Sequence, residues 1–449
     1  MYKGKPGIIT LALTGDVMLA KRLPKKFSPA MLKASEFLKK HDCVLGNLET
    51  TIHDGEGIPE AYPGGGWAMA SGHTLDDLAD FGFNMFACAN NHAMDYGQTG
   101  LISTIKNLKA RDIQYAGIGS NLSEASQPAY FDCENGRISL ISITSSFHDS
   151  YLAGPQNQDM KGRPGVNPLR HNAVYELNSD DFKSLVRIAS ESGINSYHAQ
   201  AIKEGYIPSG SDTFKFGGFT FSEGSTGVLH TSPLNADFLR TLASIKDAKN
   251  MSDICIVSVH GHQFKGDKEQ SPEFVETFSR ACIDAGADVV FCHGPHLLRG
   301  IQCYSNGIIL YGLGNFILQQ DQMVLLPEEY YRKYGTTRQD TIGPSEAYLR
   351  QSANNTRGLN ADARTWQSVI AGIEFNGENK VVSLQPIQLD RYGLPCAVSD
   401  NGILQKIAEL SRPYGSVIQI ENNIGKIRFD SQPTDTKSNS IKKKGGGNS

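Results

Sequence analysis

Several things are missing from this chain of 449 residues, and each absence removes a class of protein. No two of its eight cysteines are two residues apart. They are scattered, several inside apolar runs such as Ala87-Cys88-Ala89, Ile254-Cys255-Ile256 and Phe291-Cys292. That spacing fits neither a zinc knuckle nor a disulfide framework, so the thiols read as reduced members of a core. Positive charge is not in excess: 43 Lys and Arg against 47 Asp and Glu give −4, which speaks against nucleic acid or an anionic membrane as partner. No apolar run approaches the ~18 residues of a spanning helix, and the first ten residues lack the apolar stretch of a secretory signal. The expectation is a protein with no membrane anchor, located in the cytoplasm. No internal repeat runs through the chain.

What is present is ordinary for a large soluble fold: 39% apolar and 20% charged residues. At roughly 100–200 residues per domain, the length allows two or three domains or one large α/β domain with insertions. Short β-rich runs alternate with helical patterns. Residues 8–13, 43–45, 84–89, 113–116, 253–259 and 288–292 read as strands. Residues 29–40, 74–81 (opened by a Thr74 cap), 101–110, 236–249 and 272–285 read as helices. Hairpins are expected at 129–143, 301–310 and 369–388, around Asn-Gly turns. This alternation predicts a layered α/β fold, sheets flanked by helices. Residues 145–227 are rich in Gly, Pro, Asn and Ser and read as an inserted, loop-rich segment with one helix at 180–192. Residues 319–366 are polar and loop-like, with a helix near 327–334. The reading is one domain over 1–430 and a disordered tail at 431–449.

The chemistry lies where the strands stop. Five strand ends carry metal-compatible side chains: Asp16; Asn47 and Glu49; Asn90-Asn91-His92; His260-Gly-His262; and His293-Gly-Pro-His296. Each fragment alone is as easily a turn or a helix cap. Five at the same end of successive strands are another matter, because open α/β sheets build their sites at the carboxyl ends of strands. Carboxylates, carboxamides and imidazoles without thiolate suit Mn, Fe, Zn or Mg, as one ion or as two sharing a carboxylate. His92 and Asp95 stand three apart, a spacing that lets the carboxylate orient the ring as a proton donor. Arg299 is a candidate clamp for a carboxylate or phosphate. Trp67, ending the glycine stretch Tyr62-Pro-Gly-Gly-Gly-Trp67, is a candidate substrate contact.

The stretches LTGDVMLA, LGNLETTI, ANNHAMDYGQTGLISTIKNL and CIDAGADVVFCHGPHLLRGIQCYSNGIILYGLGNF together resemble the CapA/PgsA poly-γ-glutamate capsule synthesis family, PGA_cap, of the calcineurin-like metallophosphoesterase superfamily. The resemblance covers about residues 8–320, apart from much of the insertion. It implies a metallophosphoesterase-like sandwich and a metal set of Asp16, Asn47 or Glu49, Asn91, His260, His293 and His296. His92 would be the acid and Asp95 its partner. Two departures stand out. Met18 occupies the place of an expected histidine, and His260-Gly-His262-Gln-Phe264 replaces His-Trp-Gly-x-Glu-Tyr, gaining His262. The functions implied are a metal-dependent hydrolase acting on a phosphoester or a glutamyl or amide substrate, a factor in making poly-γ-glutamate-type chains, or a degenerate binding scaffold. The expected partners are a small molecule or a glutamyl chain.

Overall fold

A computed structural model describes residues 7–208, 213–225, 227–340, 343–377 and 379–429. The expected tail, 431–449, lies outside them. Two sheets face each other. The first is built on Ile9–Met18, which pairs in parallel with Cys43–Leu48; Met85–Ala87 and Gln114–Ala116 follow in parallel beyond it. On the other side of Ile9–Met18 run the antiparallel strands Gln367–Asn376, Asn379–Leu389 and Ile424–Phe429. The second sheet places Gly136–Thr144, Ile254–His260, Val289–His293 and Gly307–Leu310 in parallel, with antiparallel edges at Ala129–Cys133 and Ile301–Tyr304.

Side-chain alternation explains the layering. In the first strand Ile9, Leu11 and Leu13 point into a core shared with Ile138, Leu140 and Ile256 of the second sheet, whereas Ala12 and Val17 face outward. Helices Pro29–Leu38, His73–Phe81 and Gly97–Lys109 cover that outer face, and Asn235–Lys249 and Glu273–Asp284 cover the far face of the second sheet. Both faces of both sheets are therefore buried, which is why the parallel strands read as near-continuous apolar runs. Five cysteines are buried and all eight are free thiols. Among the described residues no helix is long and apolar enough to cross a membrane.

Three local expectations change, and two elements appear that the sequence did not mark. Thr74 does not cap its helix. The helix starts at His73 after Gly72, and the Thr74 hydroxyl donates to the Ser71 carbonyl. The inserted segment is not mainly loop: it holds a four-stranded sheet built on His171–Leu177, with helices Ser179–Ser192 and Ser196–Lys203. Its strands are half exposed, so they lack the apolar alternation that marks a strand in sequence. Residues 319–366 contain a second helix, Pro344–Gln351, beside Glu328–Lys333. Finally, Asn315–Leu318 joins the first strand in parallel, and helix Asn401–Ser411 plugs the inter-sheet core with Ile403, Leu404 and Ile407.

Gly15 is the tightest point of the scaffold. A Cβ there would lie 1.7 Å from the Gly314 carbonyl oxygen, and Asp16 N donates to that same oxygen at 3.0 Å. The approach is backbone against backbone, so nothing flexible can yield. Gly15→Ala is expected to cost roughly 3 kcal/mol in denaturant unfolding. Gly218→Ala, where an added Cβ meets nothing within 4 Å, should stay within about 0.5 kcal/mol.

Candidate metal centre

The carboxyl ends of the parallel strands of both sheets converge on one spot. Asp16 leaves the first strand where its register shifts, and Asn47 lies opposite it. His260 and His293 end neighbouring strands and are register partners. His296 follows at φ 60, a left-handed backbone uncommon for a side-chain-bearing residue, and this turn aims its ring back at the cluster.

Two groups of donor atoms result, each with its members within 4.8 Å of one another: Asp16, His260 and His293; and Glu49, His262 and His296. His260 stands between them. Its Nδ1 is 2.8 Å from His293 Nδ1, and its Nε2 is 2.7 Å from Asn91 Oδ1, 3.3 Å from His262 Nε2 and 3.6 Å from Glu49 Oε1. Asp16 Oδ1 lies 3.6 Å from His293 Nδ1, and Oδ2 lies 3.5 Å from His296 Nδ1.

Glu49 tests whether a cation fits. It is 0% exposed, and among the described residues no N–H or O–H donates to either of its oxygens; the acidic group facing it is Asp16. Burial first, and then the Asp16 charge, push its carboxyl well above the usual range. Burial likewise pushes His260, His262 and His296 below the ordinary imidazole value, and His293 to about 4. The rings are neutral at pH 7, with lone pairs available to a metal. A buried carboxylate without a donor, facing neutral imidazoles, is a donor set that suits a divalent cation.

The sequence left open whether Asn47 or Glu49 offers a ligand. Asn47 is engaged: Nδ2 donates to Asp16 Oδ1 at 2.9 Å, and Oδ1 accepts from Asn90 Nδ2 at 3.0 Å. Turning the amide over would set oxygen against carboxylate and NH2 against NH2. Glu49 therefore keeps the free oxygens, while Asn47 holds Asp16 in place.

Several supports were not anticipated. Ser258 Oγ is 2.7 Å from His293 Nε2, which leaves that ring's Nδ1 toward Asp16. Asn315 donates its amide to the Thr365 carbonyl, so its Oδ1 accepts from His296 Nδ1 at 2.8 Å and frees Nε2 toward Glu49. Gly294 N donates to Asp16 Oδ2. Asn315 opens a strand rather than closing one, so the strand-end pattern could not mark it.

His92 and Asp95 meet at 2.6 Å through His92 Nδ1 and Asp95 Oδ2. Asp95 also accepts from Gly64 N and Ala68 N, at 2.8 and 2.7 Å. With Nδ1 committed, Nε2 is the His92 nitrogen left for the cavity that its ring lines. The same bonds pin the glycine stretch, as does Asn91 Nδ2 donating to the Gly64 carbonyl at 2.5 Å. It is a fixed wall of the cavity, with Trp67 Nε1 donating to the Glu60 carbonyl. Arg299 is not where a clamp would be. It is 2% exposed, and its guanidinium donates to the Lys268 and Gln263 carbonyls, under the loop that follows His262; burial pushes its pKa down to about 10.

A cavity of about 550 Å³ opens above the cluster, lined by Met18, Trp67, His92, His262 and His296 and roofed by residues 320–359. Met18, in the place of an expected histidine, gives the cavity an apolar floor. The roof docks through a small aromatic cluster in which Tyr330, Tyr331 and Ala347 pack on Trp67, Met69 and Tyr96.

The bacterial capsule synthesis protein family PGA_cap matches residues 10–320. The chain belongs to that family. Protein y4sH of Sinorhizobium fredii is 30% identical over 94% of this chain and 93% of its own length. The capsule biosynthesis protein CapA of Bacillus anthracis is 26% identical over 70% of this chain and 60% of its own, and the PGA biosynthesis protein CapA of Bacillus subtilis 24% over 74% and 70%. The family match takes in every candidate ligand from Asp16 to His296 but stops where the roof begins.

Glu49 yields a prediction whose sign depends on metal. In chelator-treated protein, Glu49→Gln should raise stability by about 1 kcal/mol, because a buried uncompensated acid is removed. In protein saturated with Mn²⁺ or Zn²⁺ the same change should lower the melting temperature, since stabilisation by a bound ion scales with its affinity. Thermal melts with and without chelator, with elemental analysis of each sample, check both arms.

Proposed function

We propose that this family member is a metal-dependent hydrolase acting on a phosphoester or amide bond. The observation that carries the reading is the donorless Glu49 carboxylate among four neutral imidazoles, beside a histidine whose orientation is fixed by a carboxylate. Asp16, Glu49, Asn91, His260, His262, His293 and His296 would hold one or two divalent ions, of which Mn, Fe, Zn or Mg all suit the donors. Bound there, such ions supply Lewis acidity and an acidified water.

The chain's own residues do the rest. Asp95 holds the His92 tautomer with its proton on Nδ1, and the ring becomes an acid when Nε2 also carries a proton. At phosphorus the bond to the leaving oxygen breaks as the bond to the water oxygen forms; at an acyl carbon the water oxygen adds first, and the bond to the leaving nitrogen then breaks from the tetrahedral adduct. His92 Nε2 delivers its proton to the leaving oxygen or nitrogen, and the positive ring is stabilised by Asp95. The fixed wall at Gly64–Trp67 and the aromatic roof limit water around that transfer.

A second reading comes from the relatives, which are named as capsule and PGA biosynthesis proteins. It has the chain act on, or help to make, γ-linked glutamyl chains. A third, a binding scaffold, requires a protein that holds no metal.

Purified protein assayed with Mn²⁺ on 4-nitrophenyl phosphate and on γ-glutamyl peptides separates these. The hydrolase reading expects turnover that His92→Ala lowers by about 100-fold or more while the bound metal stays in place. Asp95→Asn should lower it too, by presenting the wrong tautomer. Turnover indifferent to His92 overturns the assigned acid; metal-free, inert protein supports the scaffold.

A further inference from the structure

The cavity walls carry information about substrate that the metal cluster does not. Two cavities meet at the reacting centre. The larger, of about 550 Å³, and a smaller one of about 310 Å³ share Gly64, Asn91 and His262. His92 lines the larger and not the smaller. If His92 gives its proton to the leaving group, as the proposed function has it, the leaving group occupies the larger cavity. The part that receives water then faces the smaller one, between Phe147 and the Tyr62–His148 stack, whose rings are 4.5 Å apart.

The larger cavity is mostly apolar above its histidines. Trp67, Met323, Leu326, Tyr330, Tyr348 and Leu359 form most of its walls, Gln320, Gln351 and Ser352 add uncharged polar groups, and among the described residues one permanently charged side chain, the exposed Arg357, lines it. Arg357 Nε donates to the Gln351 carbonyl at 3.0 Å, which ties the guanidinium to the end of the Pro344–Gln351 helix. Lys268 lines an adjoining cavity across Gly358 and Leu359, where Asp362 lines the same space. A γ-linked glutamyl chain brings one carboxylate with every residue. Laying several of them along tyrosine, tryptophan and methionine with a single guanidinium to meet them is costly, because a desolvated charge without a partner is among the most expensive groups to bury. An apolar or aryl body ending in one carboxylate fits both the walls and the lone cation, and a space of this volume takes a molecule of that size.

We propose that this site selects a leaving group with an apolar, preferably aromatic body and a single carboxylate, that Arg357 is the specificity-determining residue, and that an extended glutamyl chain is a poor ligand. The walls at 323–359 lie beyond the family match at 10–320, so the capsule relatives' names say little about this half of the site. The inference rests on the hydrolase reading only for which half of the substrate lies here; the ligand chemistry stands on the walls themselves.

The test is a binding titration, which needs no turnover. The chain has two tryptophans, and Trp366 does not line the cavity, so Trp366→Phe leaves Trp67 as the sole reporter. Fluorescence of that variant, saturated with Mn²⁺, is followed against three probes: N-benzoylglycine, its uncharged amide, and tri-γ-glutamate. N-benzoylglycine should bind at least tenfold more tightly than either other probe. Arg357→Gln should weaken N-benzoylglycine about tenfold and leave the amide unchanged. Tri-γ-glutamate binding as tightly as N-benzoylglycine overturns the proposal. So does an affinity for N-benzoylglycine that Arg357→Gln does not change, because its carboxylate would then be landing on the metal cluster. Calorimetry on the unsubstituted chain repeats the titration should Trp366→Phe fold poorly. Loss of the hydrolase reading shows separately, as turnover insensitive to His92→Ala, and leaves these affinities as they are.

Discussion

Two acidic side chains, Asp16 and Glu49, meet at the junction of two sheets where water hardly reaches, at 1% and 0% exposure. Like charges so placed repel, and desolvation raises the cost of each. Asp16 has partial relief in the Asn47 amide and the Gly294 N–H; Glu49 has none from the protein. The surrounding architecture keeps this unfavourable pair in place. The Gly15 backbone is pressed against Gly314, the Asn47–Asn90 relay fixes the amides, and His296 is held in a left-handed turn. The scaffold thus holds together a buried donor cluster that could take a divalent cation, and its cost falls on the same backbone contacts that position the donors.

The two halves of the site are built differently. The floor comes from strand ends of two well-packed sheets, so its donor atoms are set by backbone register. The roof comes from short helices and loops between 320 and 366, attached through a separate aromatic cluster. A rigid floor suits ions that tolerate little displacement of their ligands, and a separately docked roof lets the substrate side vary without disturbing them. His262 belongs to both halves: it is one of the Glu49 trio and lines both cavities, and Arg299 beneath holds the loop that follows it.

Much of the fold was legible because both sheets are buried on both faces. Runs such as residues 8–13, 253–259 and 288–292 are apolar for that reason, and the polar residues that end them stand out. The inserted sheet at 171–233 was not legible, because its strands are half exposed and carry no clean alternation. The helix at 401–411 was missed although its Ile403, Leu404 and Ile407 follow helical spacing; residues after 389 simply carry no landmark of the kind that ends the other strands. Thr74 shows the limit of local chemistry: a residue of the right type one position too late serves a turn instead of a cap.

The sequence alone determined the donor types, their order and their place at strand ends, since a near-continuous apolar run marks a strand buried on both faces and the polar residues that interrupt it mark where the strand stops. It also contained the His92–Asp95 pair, because three residues within one tight turn bring those groups together whatever the rest of the chain does. Tertiary structure alone decided that Glu49 rather than Asn47 keeps free oxygens, that Arg299 supports a loop instead of facing a ligand, and that Arg357 lines the cavity. The first two depend on partners tens of positions away, and no local pattern encodes a hydrogen bond to a neighbour supplied by another element; the third depends on the roof docking beside Trp67.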